Sequence, residues 1–281
     1  MSKIYYYSDD LDYTKNINSC IVLVNNLIKN FIQYKCFEKN PEKAEIVFGY
    51  RNIQYVSNSE ITVYTDTNYE DITLYSNGVK IKRFLFTNEY ERHLLNKFSK
   101  EVEYIEVFPL LDLYELEDSR NLKEKSILIL DGERFKEVLT KVFILGLYKK
   151  YKIKVITNRE VNLKEVEVIK NFNKTNYREF RRSFLKNLNV EYLILTNNNL
   201  TFKLIAVEAL YMGAKVITLS NNFFYYSFKD FLNDRIFVLE NFNKLDFVFV
   251  NKMNSTDKDI QEYIRKLNEK SFKQWSEVLN V

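Results

Sequence analysis

The residues of this chain best suited to chemistry are charged side chains at the ends of apolar runs. After the apolar run at 126–130 the sequence continues Asp131-Gly132-Glu133-Arg134-Phe135-Lys136. Arg presents a bidentate fork and Lys a compact point charge, two donors that suit a diphosphate whose charge must be stabilised. A second stretch, residues 190–220, reads VEYLILTNNNLTFKLIAVEALYMGAKVITLS. Its pattern is a strand, a polar turn, a helix bearing Glu208, a tight turn at Gly213 and a buried strand. A helix beginning near Thr201, with Lys203 in its first turn, would turn free N–H groups and a positive dipole end toward a phosphate.

Other chemistries are poorly supplied. One histidine, His93, and two cysteines, Cys20 and Cys36, are too few for a structural zinc site, and a Ser-His or Cys-His pair would have to use His93. His93 sits within a helical pattern between Arg92 and Leu94 and reads as structural. Cys20 and Cys36, if on one helix, stand about 24 Å apart and cannot pair there. No metal site and no cofactor are expected. Asp10-Leu11-Asp12 follows the first strand and reads as a solvated loop that caps the first helix. Arg178, Arg181 and Arg182 read as a solvated face that could meet an anionic surface.

Five Gly and two Pro among 281 residues exclude glycine-rich nucleotide loops and flexible linkers, while 46% hydrophobic and 28% charged content suits a globular protein with a sizeable core. The length suits two domains of roughly 100–150 residues. The N-terminus lacks a signal-peptide pattern and the apolar runs are too short to span a bilayer, so a cytoplasmic, reducing location is expected. Residues 1–122 hold 14 Lys+Arg against 19 Asp+Glu, net −5, and residues 123–281 hold 28 against 19, net +9. The basic back half suits phosphates, nucleic acid or an anionic membrane surface, yet no recognition helix or RNP-like aromatic motif supports nucleic-acid binding.

The elements that must position these residues follow from periodicity. A strand at 3–8, a helix from Ile17 to Ile32 and a strand at 44–49 open the chain. Short β-rich runs follow at 53–56, 61–65, 72–75 and 79–86, with Asn77-Gly78 signalling a hairpin. A helix at 88–98 and a strand at 103–107 end the first part. The acidic, aperiodic segment after Leu111 reads as a linker. Strands and helices then alternate: strand 126–130, helix 133–149, strands 152–156 and 165–169, helix 177–187, strand 191–196, helix 202–212, strand 215–219, helix 227–232, strand 235–238 and helix 256–279. That alternation implies a doubly wound parallel sheet. The domains expected are 1–112, a linker at 113–123, a nucleotide-binding domain at 124–255 and a terminal helix at 256–281 returning toward the first domain.

Glu208-Ala209-Leu210, Gly213 and Val216-Ile217 resemble the second half of the Glu-x7-Glu motif in the large retaining family of glycosyltransferases with the two-Rossmann-domain architecture called GT-B. The first half departs from the pattern: Leu200 stands where the family has its first glutamate, and Thr201-Phe202-Lys203 replaces the glycine-containing turn. Gly132, Arg134 and Lys136 resemble the loop with which the family clamps the donor diphosphate. Residues 82–112 are similar to the last strand-helix-strand of the acceptor domain, and the helix carrying Phe272-Lys273-Gln274-Trp275 is similar to the family's closing helix.

The resemblance implies an α/β fold of two Rossmann-like domains facing each other across a cleft. It implies a metal-independent hexosyltransferase, retaining by resemblance, that takes a nucleotide-sugar donor and an unidentified acceptor. Glu208 would meet the ribose, and Gly132, Arg134, Lys136, Thr201 and Lys203 would line the donor site. No catalytic residue is assigned, and peripheral membrane contact is a further expectation. The alternative is a GT-B-like nucleotide- or sugar-binding or partner protein without transfer activity.

Overall fold

The computed structural model describes residues 4–5, 19–31, 37–38, 45–48, 60–64, 80–89, 92, 102–157, 159–170, 177–196, 203–220, 223–249 and 255–281. The side chains of Asp10, Asp12, Cys20, Cys36, Asn77, Gly78, His93, Arg178, Leu200, Thr201 and Phe202, for which the sequence raised expectations, lie outside the described residues.

The first half contains β1 (Ile4–Tyr5), α1 (Ser19–Phe31), β2 (Phe37–Glu38), β3 (Ile46–Phe48), β4 (Glu60–Tyr64), β5 (Lys80–Phe86) and β6 (Glu103–Glu106). Then come α2 (Leu113–Asp118), β7 (Glu124–Leu130), α3 (Phe135–Ile144), β8 (Lys152–Thr157), β9 (Val166–Lys170), α4 (Tyr177–Asn187) and β10 (Val190–Leu195). The chain closes with α5 (Lys203–Tyr211), β11 (Lys215–Leu219), β12 (Ile236–Leu239) and α6 (Asp257–Leu279). Among the described residues no helix is long and apolar enough to cross a membrane.

The strands form two six-stranded sheets, ordered β2-β1-β3-β4-β5-β6 and β12-β11-β10-β7-β8-β9, with every pairing parallel. Parallel sheets are covered on both faces, so their strands carry unbroken apolar runs. The run Ser126 to Leu130 and all of β11 are buried accordingly. Counted from β7, the second sheet has the 3-2-1-4-5-6 order of a Rossmann fold, and its strand order reverses between β7 and β10. In the first sheet the reversal falls between β1 and β3.

Three sequence expectations change. The hairpin at Asn77-Gly78 does not set the pairing of β5: from Arg83 to Leu85 that strand lies between two parallel neighbours, β4 and β6. The expected partner at 72–75 lies outside the described residues. The segment expected as an aperiodic linker begins with α2, whose first turn is capped by Asp112 accepting from the Glu115 N–H. The helix expected at 227–232 is a 3-10 helix, Phe223–Phe231, with a kink at Phe228.

One hydrophobic core runs through both halves and takes in α1, β3, one face of the second sheet, α5 and α6, while a second core fills the opposite face of the second sheet against α3. The terminal helix joins the halves. Thr256 and Asp259 form its N-terminal capping box, and fully buried Trp275 stacks on Phe48 and tilts against Tyr64. Trp275 Nε1 also donates to the Phe108 carbonyl at 3.0 Å, and Asn268 accepts from Leu111 N at 2.7 Å.

Candidate functional site

In open α/β sheets ligands bind beyond the carboxyl ends of the strands, at the point where strand order reverses. Here that point lies between the ends of β7 and β10. The Arg134 N–H donates to the Thr196 carbonyl at 2.9 Å, tying the loop after β7 to the end of β10. The fully buried Thr196 hydroxyl donates to the Leu130 carbonyl at 2.6 Å.

Asp131 turns from the end of β7 toward β8, where its Oδ2 accepts from the Thr157 hydroxyl at 2.5 Å. Its Oδ1 lies 3.0 Å from Arg159 Nε, shielded from solvent and without an aligned hydrogen bond. Arg159 also donates to the Gly132 carbonyl at 3.3 Å, and its guanidinium carbon lies 5.7 Å from the centre of the Phe135 ring. The Arg134 side chain is half exposed and pairs with Glu137 at 3.0 Å. Lys136 is exposed. Three cations, Arg134, Lys136 and Arg159, therefore rim the carboxyl ends of β7 and β8.

α5 brings the two halves of the chain together. Lys203 is 1% exposed. Its ammonium donates to Thr87 Oγ1 at 3.0 Å and lies 4.6 Å from the centre of the Tyr64 ring. Tyr64 ends β4 and Thr87 follows β5, so the carboxyl ends of the two sheets face each other at this point. The expectation that Lys203 lines an open donor site is corrected: its charge is spent on the first half of the chain, and desolvation is offset by the hydroxyl and the ring face.

Glu208 is also corrected. Every residue of α5 is buried, and Glu208 is 0% exposed. Its carboxylate receives both terminal nitrogens of Arg181, itself 0% exposed, with Nη1 at 2.8 Å. Burial pushes the Glu208 carboxyl up in pKa, and Arg181 pulls it back. Arg181 Nε reaches Glu115 of α2 at 3.2 Å, Glu115 accepts from Lys29 of α1 at 3.2 Å, and Lys29 pairs with Asp112 at 2.8 Å. Glu208 thus anchors an ion-pair chain through α4, α2 and α1, with its carboxylate enclosed inside the protein.

The structure brings Gly132, Arg134 and Lys136 together at the end of β7 and places Glu208 and Lys203 inside the protein. Thr201 lies outside the described residues. Sequence reasoning missed Arg159, Asp131 and Thr157, although the polar run that follows β8 was a usable signal. It also took Arg181 for a solvated cation, whereas only Arg182 of that pair is exposed. Among the described residues no group of three or more His, Cys, Asp or Glu side chains could hold a metal ion.

This architecture is the GT-B fold of glycosyltransferases. Similar solved structures include sucrose-phosphate synthase from Thermosynechococcus elongatus, with a TM-score of 0.59 and 9% identity over 90% of this chain and 76% of that one. The pneumococcal O-GlcNAc transferase GtfA, solved in complex with UDP and GlcNAc, has a TM-score of 0.55 and 10% identity over 90% of this chain and 59% of its own. TarM has a TM-score of 0.51 and 11% identity over 92% of this chain and 58% of its own. The chain therefore spans less than two thirds of GtfA and TarM, and identity this low establishes the fold alone. No family model matches the sequence, and no curated protein matches it.

Proposed function

We propose that this chain is a glycosyltransferase that takes a nucleotide-sugar donor at the β7/β10 reversal and passes the sugar to an acceptor held against the first sheet. The observation that carries the reading is the closed loop at the end of β7. There 132–136 is pinned to β10 by the Arg134 N–H, and the Arg134 and Lys136 side chains stand exposed on its rim. Loss of the donor's diphosphate leaves charge on the departing phosphate. Arg134 supplies a fork of N–H donors and Lys136 a mobile point charge to stabilise it, in the role a divalent metal plays elsewhere. GtfA's UDP and GlcNAc are the kind of ligand this reading assigns to the cleft.

The test incubates the protein with a panel of nucleotide sugars and follows nucleoside diphosphate release, with and without EDTA and with candidate acceptors. Release that survives EDTA and falls about tenfold or more in Arg134→Ala is the expected result, since a lost charge-assisted contact costs about 1.5–3 kcal/mol. Saturable binding without release for any acceptor points instead to a nucleotide-sugar-binding protein without transfer activity. Neither binding nor release would overturn both.

A further inference from the structure

We propose that the turns at the amino-terminal ends of β7, β8 and β9 form a peripheral contact surface for an anionic lipid bilayer. This end of the second sheet lies opposite the carboxyl ends that carry the candidate donor site, so bilayer contact and donor binding are separate properties of the chain.

Seven large hydrophobic side chains are exposed among the described residues, and four of them gather at this end. Leu122, 97% exposed, lies two residues before β7, and Leu163 lies three residues before β9. Ile144, 70% exposed, ends α3, and exposed Leu145 follows it. α3 starts beyond the carboxyl end of β7 and runs back along the sheet, where Gly146, φ +65°, and a 3-10 turn at Leu147–Lys149 lead into β8. The three strands are parallel, with Ser126 beside Lys152 and Ile153 beside Val166, so their approaches share one end of the sheet. Single exposed apolar residues are ordinary on a soluble protein, whereas a group of them on neighbouring turns marks a surface for a partner.

The charges around these side chains identify the partner. Residues 138–159 carry Lys141, Lys149, Lys150, Lys152, Lys154 and Arg159 and no Asp or Glu. Lys125, Lys149, Lys150 and Lys164 are exposed and pair with no acid among the described residues. The acids at this end are largely engaged: Glu124 holds Lys152 and Lys154, Glu167 holds Lys152, and Glu191 acts on Lys123 and Lys215, while Glu165 stays exposed beside Lys164. The Phe143 ring stacks on Tyr148 at 4.9 Å, and the Lys149 ammonium lies 5.8 Å from the centre of the Tyr148 ring, so ring and cation stand side by side on the turn. Lysine stems lie along apolar surface with the charge held in water, tyrosine sits at headgroup depth, and aliphatic side chains enter the acyl boundary. A nucleic acid would use the cations and leave Leu122 and Ile144 in water, and an apolar protein groove would cover those two and leave the lysines unmatched. An anionic leaflet accommodates both sets, with each lysine near it adding about fivefold to partition.

The experiment is flotation of the full chain with phosphatidylcholine vesicles, with and without phosphatidylserine, on wild type, Leu122→Ser, Ile144→Ser and the double variant Lys149→Gln/Lys150→Gln. Leu122 lies outside every helix and strand, so Leu122→Ser carries the test if Ile144→Ser lowers the melting temperature. Wild type should float with the phosphatidylserine vesicles and not with phosphatidylcholine alone, and added salt should release it. Each apolar variant should weaken partition about tenfold, and the double lysine variant about twentyfold or more. A wild type that does not float, equal flotation with both kinds of vesicle, or unchanged partition in Leu122→Ser or in the lysine variant overturns the inference. Binding of a duplex oligonucleotide that is lost in the lysine variant and kept in Leu122→Ser, with no flotation on vesicles, overturns it in favour of a nucleic-acid surface.

Discussion

Replacing Glu208 by Gln separates an internal ion pair from a ligand contact, because the two roles predict different losses. Gln keeps the shape of the side chain and removes its charge, which leaves the fully buried Arg181 guanidinium with Glu115, 3.2 Å from its Nε, as the remaining acid among the contacts described above. Breaking a buried pair by removing one partner costs about 3–5 kcal/mol. That is a large share of a typical stability of about 5–15 kcal/mol. With a melting shift of about 2–4 °C per kcal/mol in chains of this size class, the midpoint should fall by roughly 6–20 °C. Arg181→Met combined with Glu208→Leu removes both charges and keeps apolar volume, so the double variant should be more stable than either single one. Glu115 retains Lys29 in that background. Trp275, the only tryptophan, is buried against Phe48 and Tyr64 and reports unfolding in urea by its fluorescence. A loss below about 1 kcal/mol for Glu208→Gln, or a double variant as unstable as the sum of the singles, would refute the reasoning and return Glu208 to the cleft as a ligand contact.

Two further outcomes follow from local geometry. Gly213 has φ +92°, and a Cβ there would lie 2.9 Å from Asp257 Oδ2 and 3.4 Å from Lys123 Nζ, whereas Gly146, φ +65°, faces open space. Gly146→Ala should cost about 1–2 kcal/mol from the left-handed backbone alone, and Gly213→Ala clearly more, in paired urea titrations; equal losses would mean that the Asp257 contact yields freely. The Tyr211 hydroxyl donates to Glu117 at 2.6 Å, and its pKa is pushed up to about 12, first by burial and then by that hydrogen bond. The neutral phenol is thus favoured in the folded state. Its stabilising contribution is complete below about pH 10 and is lost as pH rises toward 12. Tyr151 and Tyr263 shift in the same direction, so Tyr211→Phe should flatten part of the alkaline loss of stability; an unchanged slope between pH 10 and 12 overturns the assignment.

Much of the second half was legible because parallel strands buried on both faces must be apolar throughout and crossover helices must separate them. The strand expected at 215–219 and the helix at 177–187 match the structure residue for residue, and most others shift by one or two positions at their ends; the helix expected at 133–149 ends instead at Ile144, before a 3-10 turn at Leu147–Lys149, and the one expected at 227–232 is the 3-10 helix Phe223–Phe231. β2 was missed, since two residues carry no period. α2 was read as linker because six residues of acidic sequence have little intrinsic reason to be helical. Its order comes from Lys29, Arg181 and Arg265, which hold Glu115 and Glu117 from α1, α4 and α6.

In the candidate site, the sequence by itself determined which residues share an element, and the tertiary structure decided which way they face. Gly132, Arg134 and Lys136 had to stand together, because they follow the last apolar residue of a strand with no room to separate. The inward turn of Glu208 had a local signal that went unused: α5 has no polar face, and a helix apolar all round is buried, so an acid on it must be paired inside the protein. Arg181 likewise lies three and four residues before Phe184 and Leu185, both core residues, and shares their face. That these two would find each other, with Glu115 and Lys29 beyond them, was not readable from spacing. Neither was the meeting of Arg159 with Asp131 or of Lys203 with Thr87. Each pair lies on separate elements, 27, 28 and 116 residues apart, and only the strand order of the sheets and the packing of α1 against α5 bring its members within reach. Periodicity encodes the face of an element, whereas the partner of a buried charge is set by which elements become neighbours when the core closes.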